Sequence, residues 1–377
     1  MGQRDMAELE KLEEMYKNRN LLLRNGETGE KIIGYLCNFA PPELISAAGM
    51  IPYRITGKRG EIIEADDCVE PLGCPYIRNC FEQDLKGEMD FLDGRVISHS
   101  CDAAQRIYGI WNTYKKKQYS YLFNAPHGTS EWSRKFFKRE LLFFKESLER
   151  FVGHKISEAD IIDTIELYNQ NRQLIKYLYS LRKEDPPRVT GSEILKILLT
   201  GCSIPPENFN VFLKKVMSEI AERKQSQEKS PRLMFWGCII DDTNLFEMIE
   251  DMGAHIVIDD TCIGSKTCLF NIDTSGGVWE GLTKAYFDAF MCPRTDRGPG
   301  LNRFNYVLDL IREYNANGVI GYMLNFCDPH KMDYPDLRDY LDERGIPMLL
   351  IHDNYSLGNI EGVRTRIEGF IEMLSHA

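Results

Sequence analysis

Short apolar runs alternate with helix-like stretches in two separate blocks of this chain. In the first block, KIIGYLC (31–37), MIPYRIT (50–56), GRVISHS (94–100) and YSYLFNAP (119–126) read as strands. In the second, RLMFWGC (232–238), HIVIDD (255–260), GVIGYMLNF (318–326) and IPMLLIHD (346–353) do the same. Apolar runs of this length, separated by helical stretches, point to βαβ units and parallel sheets. Between the blocks, residues 131–225 lack strand-like runs. SEWSRKFFKRELLFFKESLERFVG and SEADIIDTIELYNQNRQLIKYLYSLR instead space their apolar residues by three and four. Ser157 with Asp160 ahead of an apolar run forms a capping-box pattern, whereas the start at Ser130 is a weaker one. The expected organisation is a helical lead-in over 1–28, a first α/β domain over 29–130, a helical segment over 131–230 and a second α/β domain over 231–377. Each α/β domain is expected to be doubly wound, in the Rossmann-like or flavodoxin-like manner.

Bulk properties remove several function classes. The 46 basic and 57 acidic residues of the 377-residue chain leave a net charge of −11, a poor match to a phosphate backbone. The segment Met1–Asn20 is charged and has no apolar secretory core, and the Met-Gly start carries Met6 where a myristoylation signal wants Ser or Thr. No run approaches the roughly 18 apolar residues of a membrane-spanning helix. A cytoplasmic protein without nucleic-acid or membrane partners is therefore expected. GVWEGLT and TDRGPGLNR match neither a P-loop nor a dinucleotide fingerprint, and no Ser–His–Asp or HExxH pattern suggests a hydrolase.

The cysteines carry the chemical signal. Eleven are present, and in a chain without a secretory signal they are read as metal ligands or core residues before bridges. In doubly wound sheets ligands bind beyond the carboxyl ends of the strands. Cys37, Cys101, Cys238, Cys262 and Cys327 all fall at or just past expected strand ends. The run Cys68-x5-Cys74-x5-Cys80 lacks the two-residue gaps of zinc knuckles and ferredoxins. Cys74, however, precedes Pro75 at the start of a helix, where free backbone N–H groups favour a thiolate. An iron–sulfur cluster held by cysteines from loops of both α/β units fits this distribution better than a zinc ribbon. His127, past a strand end, either contacts a ligand or only solvent. Glu43, in the first turn after Pro41-Pro42, either complements the helix dipole or moves protons.

Together GYLCNFAPPELISAAGMIPYRI, GCPYIRNCFEQDLKG, SCD (100–102), IDDTCIGSK and NGVIGYMLNFCDPHKMDYPDLRDYLDERGIPMLLIHDNY resemble the 2-hydroxyacyl-CoA dehydratase / benzoyl-CoA reductase family from about residue 30 onward. The resemblance implies one [4Fe–4S] cluster in the cleft between the α/β domains, held by three cysteines that fall here on Cys74, Cys101 and Cys327. It implies one-electron, ketyl-radical chemistry on an acyl-CoA after activation by a separate ATP-hydrolysing iron–sulfur protein. It also implies a homologous cluster-bearing partner subunit or a second copy of the chain. SCDAAQR, where the other subunit type carries a TCDGKKK-like run, resembles the shorter, second subunit of an (R)-2-hydroxyacyl-CoA dehydratase, whose cluster relays the electron. The homologous place in an ATP-dependent benzoyl-CoA reductase remains an alternative, as does a bare electron carrier. Cys37, Cys262, Cys268 and Cys292 are additional cysteines in matching segments. Were Cys37, Cys262 or Cys292 also to bind iron, the chain would stand nearer the homodimeric double-cubane branch, which acts on small molecules. The residues leave FMN open as a further cofactor.

Overall fold

The computed structural model of the chain describes residues 7–23, 29–71, 73–223, 230–295, 302–356 and 360–376. Eight strands form two four-stranded sheets. β1 (Ile32–Leu36), β2 (Ile51–Arg54), β3 (Gly94–Ser98) and β4 (Tyr119–Phe123) lie in the order β2-β1-β3-β4. β5 (Arg232–Gly237), β6 (His255–Asp260), β7 (Gly318–Leu324) and β8 (Met348–Asp353) repeat that order as β6-β5-β7-β8. Every pairing is parallel, from Ile33 opposite Gly94 in the first sheet to Leu233 opposite Gly318 in the second. All residues of β5 and β7 are buried, which explains why these strands read as unbroken apolar runs and not as alternating ones.

Two hydrophobic cores account for the layering. Ile32 and Ile97 of the first sheet belong to one core and Ile33 and Val96 to the other, so both faces of that sheet are covered. The larger core runs on through Leu178 and Leu213 of the helical layer into Phe235, Trp236 and Tyr322 of the second sheet. The smaller packs Phe137, Leu141 and Phe144 of one long helix against Phe123.

The helices between the sheets span Glu131–Val152, Glu158–Ser180, Gly191–Gly201 and Pro206–Ala221. Ser157 and Asp160 close the expected capping box, and Thr190 with Glu193 forms a second one. Ser130 also caps its helix, accepting the Ser133 N–H at 3.1 Å without a reciprocal carboxylate. The lead-in helix Glu8–Lys17 buries Leu12 and docks through an ion pair of Glu13 with Lys196 at 2.8 Å. Residues 1–6 and 24–28 of the lead-in, most of the polar stretch 221–231 and the middle of TDRGPGLNR lie outside the described residues. Among the described residues no helix is long and apolar enough to cross a membrane.

Two arginines, Arg294 buried and Arg59 half-buried, fasten the two sheets' loops together. Arg294, from the second unit, donates to the carbonyls of Ser100, Pro126, His99 and Ala125 at 2.6 to 3.1 Å. Arg59, from the first, ion-pairs with Asp242 and Asp353 and donates to Tyr322 Oη at 2.6 Å. The carboxyl ends of both sheets thereby come together.

Candidate functional site

In each sheet the chain turns in opposite directions from two adjacent strands, β1 and β3 in the first and β5 and β7 in the second. Loops leave such a pair to opposite sides and open a crevice at its carboxyl end. Cysteines occupy all four exits: Cys37 after β1, Cys101 after β3, Cys238 after β5 and Cys327 after β7. With Cys74, Cys262 and Cys292 they line one cavity of about 110 Å³. Thiols more than two hundred residues apart in sequence thus face a common space.

Three of the seven share a local geometry. Cys74, Cys101 and Cys327 are each the N-cap residue of a helix: Pro75–Leu85, Asp102–Tyr114 and Asp328–Asp342. In each case the backbone N–H three residues on, from Ile77, Ala104 and His330, lies on the sulfur's side of the helix end and favours its ionised form, although it falls short of a hydrogen bond. Such N–H groups have no partner inside the helix, and the helix dipole adds to their pull. Burial opposes them. It pushes Cys74 well above the usual thiol range, with Cys327 and Cys101 adding to the rise, and takes Cys101 to about 11. Cys327 is raised chiefly by its neighbour Cys238 and then by burial.

Cys37, Cys262 and Cys292 make a second neighbourhood. Burial raises Cys262 despite nearby Lys266, and Cys292 and Cys37 raise it further. Cys292 is pushed up to about 12 by burial, again with Cys37 beside it. The two groups meet where Cys37 faces Cys101 and Cys327 faces Cys262. Neutral thiols crowded in this way become thiolates once positive charge is placed among them, releasing protons as metal binding does.

The backbone around the cavity is under strain. Cys37 and Phe326 adopt left-handed conformations at φ 77° and 61°, unusual for residues with a Cβ. Both sit at strand exits, next to or within the thiol set, where strain of about 1–3 kcal/mol is commonly stored. Gly237 is required for close approach, since a Cβ there would lie 2.1 Å from the Tyr322 carbonyl oxygen of the neighbouring strand. That contact keeps Cys238 tight against β7, where its sulfur accepts the Leu324 N–H at 3.3 Å.

Among the described residues no three His, Cys, Asp or Glu side chains converge tightly enough to hold a single metal ion. His330 also lines the cavity, with Nδ1 3.4 Å from Cys327 Sγ and a buried Nε2 that has no hydrogen-bond partner among the described residues. Burial, and then the charge of Lys266, hold this imidazole neutral.

The other residues singled out from the sequence stand apart. Glu43 is fully buried, ion-paired with Arg172 and accepting the Tyr286 hydroxyl at 2.8 Å, and it does not line the thiol cavity. His127 is exposed, with its ring 5.4 Å from that of His99 and Nδ1 3.3 Å from the Arg294 carbonyl. It reaches the cavity only through Arg294. Cys268 is buried in the core, Cys80 lies inside its helix, and Cys68 lines an outer groove next to Cys74. Cys238 and His330 line the site although the sequence reading did not count them among its ligands. The sequence places Cys238 at a strand end without marking it as a ligand, and nothing in it marks His330.

An α/β chain with paired parallel sheets and a multi-cysteine crevice defines a narrow class, and sequence comparison specifies it. The chain belongs to the family described as 2-hydroxyglutaryl-CoA dehydratase, D-component, which matches residues 37–374. It is 26% identical over 357 residues to one of the subunits of benzoyl-CoA reductase from Thauera aromatica, covering 93% of this chain and 92% of the relative. It is 26% identical over 349 residues to the (R)-phenyllactyl-CoA dehydratase beta subunit of Clostridium sporogenes, covering 92% and 93%. It is also 26% identical over 366 residues to the beta subunit of (R)-2-hydroxyglutaryl-CoA dehydratase of Acidaminococcus fermentans, covering 94% and 96%. An enzyme component, lyase or related reductase, is what these similarities establish.

Proposed function

We propose that the chain is the iron–sulfur subunit of an (R)-2-hydroxyacyl-CoA dehydratase or of a related acyl-CoA reductase. The observation that carries this reading is the convergence of seven cysteines, from both α/β units, on one cavity. Cys74, Cys101 and Cys327 would hold a [4Fe–4S] cluster in the cleft between two flavodoxin-like halves. When bound, such a cluster supplies one-electron chemistry, the currency of ketyl-radical dehydration. The chain's own contribution is to hold three thiolates on helix N-termini, where backbone N–H groups favour the charged sulfurs. The beta-subunit names of the relatives support a homologous partner subunit, and the absence of a nucleotide motif in this sequence agrees with a separate ATP-hydrolysing activator.

A second reading has its own observation. Cys37, Cys262 and Cys292 form a second thiol group facing the first across the same cavity, as the arrangement for a double-cubane cluster would require. Iron and acid-labile sulfide per chain, on protein purified without oxygen, separate the readings. About four of each, lost on Cys74→Ser, Cys101→Ser or Cys327→Ser, supports the single cubane. About eight supports the double one, and no iron overturns both.

A further inference from the structure

Among the described residues one buried arginine has neither a carboxylate nor a carbonyl on its side chain. Arg78, Arg95, Arg172 and Arg182 each donate to a carboxylate, and Arg232 and Arg294 donate to backbone carbonyls. Arg54 is only 4% exposed, and its Nε and Nη1 are buried without a hydrogen-bond partner among the described residues. Its guanidinium does lie 5.3 Å from the centre of the Tyr35 ring, but a ring face carries no net charge to set against it. A buried cation without a counter-charge is costly.

The position of Arg54 ties its charge to the thiols. Arg54 closes β2, with its backbone N–H on the Cys202 carbonyl at 3.0 Å. Its side chain lines the thiol cavity together with Cys37, Cys74, Cys101 and Cys327. Burial opposes the charge, and what favours it is chiefly Tyr76, Tyr35, Cys37 and Cys202. Burial also pushes Tyr35 and Tyr76 well above the usual phenol range and Cys202 to about 11, so these three supply no anion. Of the four, Cys37 is the one that lines the thiol cavity. The other charges in that wall are engaged elsewhere: Arg294 gives its N–H groups to four carbonyls, and Asp328 is exposed and forms no ion pair with Arg54. The anion that Arg54 lacks is one that ionised thiols in the cavity supply.

We propose that Arg54 is the built-in counter-charge of the iron–sulfur group proposed above for the thiol cavity, and that it raises the reduction potential of that group. Thiolates and an added electron both place negative charge in the cavity, and a fixed cation in its wall offsets both. Arg54 acts through space when one electron arrives from the low-potential donor of the proposed activation, and no bond forms or breaks. A surface arginine does not act in this way, because water and salt screen it. The role rests on the cluster reading, and it suits a subunit that relays an electron, since it sets how readily that electron is accepted.

The test uses the full chain purified without oxygen, with iron counted on every sample and the midpoint potential read by redox titration followed by electron paramagnetic resonance. Arg54→Met should shift the oxidised-to-reduced ratio at fixed potential about tenfold toward the oxidised form, a midpoint lowered by about 59 mV for one electron. Arg54→Lys, which keeps the charge, should stay within about twofold of the parent. Arg106→Met should also stay within about twofold, since Arg106 is exposed and paired with Asp102. An Arg54→Met shift under threefold, or an Arg54→Lys shift as large as that of Arg54→Met, overturns the proposal. If Arg54→Met holds no iron, retention of iron by Arg54→Lys supports the need for the charge, and loss in both overturns it. Iron-free parent protein overturns the cluster reading and the proposal together, whereas an iron-loaded parent whose potential ignores Arg54→Met overturns the proposal alone.

Discussion

Replacing Gly264 by alanine should unseat one specific thiol. Asp259 organises the turn that carries Cys262. Its Oδ2 accepts the Ser265 N–H at 3.0 Å and the Thr261 hydroxyl at 3.2 Å, while Oδ1 accepts from Tyr179 Oη at 2.7 Å and Arg182 Nη2 at 3.3 Å. A Cβ on Gly264 would lie 1.5 Å from Asp259 Oδ2, a contact no rotamer adjustment of an alanine relieves. The carboxylate must swing out, leaving the buried Ser265 N–H and Thr261 hydroxyl without their acceptor. A buried group left unsatisfied costs about 1–3 kcal/mol and a hydrogen bond to a charge about 1.5–3 kcal/mol, so a total loss of about 3–5 kcal/mol is expected. Gly369→Ala is the control. That glycine sits exposed in the helix Ile360–Ser375 with nothing within 4 Å of its would-be Cβ, so alanine should stabilise by up to about 1 kcal/mol. Urea denaturation followed by circular dichroism measures both. A Gly264→Ala protein within about 0.5 kcal/mol of the parent would refute the reasoning, because the carboxylate could then not be fixed where the structure places it.

Other outcomes follow from the same geometry. Arg172→Met strands the Glu43 carboxylate in the core and should cost about 3–5 kcal/mol, whereas adding Glu43→Gln should recover at least about 2 kcal/mol of that loss. An additive double-mutant cycle would show that the pair is not coupled. Burial works against ionised Glu149, but Lys145, the Ile156 N–H and Lys155 hold its pKa down at about 2. A depressed carboxylate stabilises the fold above its ordinary value of 4.5 and loses that contribution as pH falls toward about 2. Glu149→Gln should therefore cost about 1–2 kcal/mol at neutral pH, and the gap should close across that acidic window in pH-dependent unfolding curves. Cys68→Ser should leave iron content unchanged, since Cys68 lines the outer groove and not the thiol cavity, while Cys327→Ser should lower it.

The strands and helices were legible because their signals are local. Buried parallel strands print as apolar runs, and Ser157 with Asp160 prints as a capping box whatever the rest of the chain does. Cys74, Cys101 and Cys327 were singled out as a set by the family resemblance; the residues themselves show only that each precedes a helix that begins at once with Pro or Asp. What the sequence hid depends on distance. Glu43 could be read as complementing its helix dipole or as moving protons, and neither reading foresaw its partner Arg172, 129 residues away on the helical layer. Arg54 and His330 acquire meaning only once two sheets with the same strand order bring their carboxyl ends together. The left-handed backbone at Cys37 and Phe326 was hidden for another reason, since neither residue is a glycine and the strain is held by surrounding structure.

The proposed function requires iron in the seven-thiol cavity. Iron and acid-labile sulfide should be counted on freshly made anaerobic protein, beside the same counts for Cys74→Ser, Cys101→Ser and Cys327→Ser. About four or about eight of each per chain, falling in all three variants, is the expected result. Iron-free parent protein, or iron that survives all three substitutions, would contradict it.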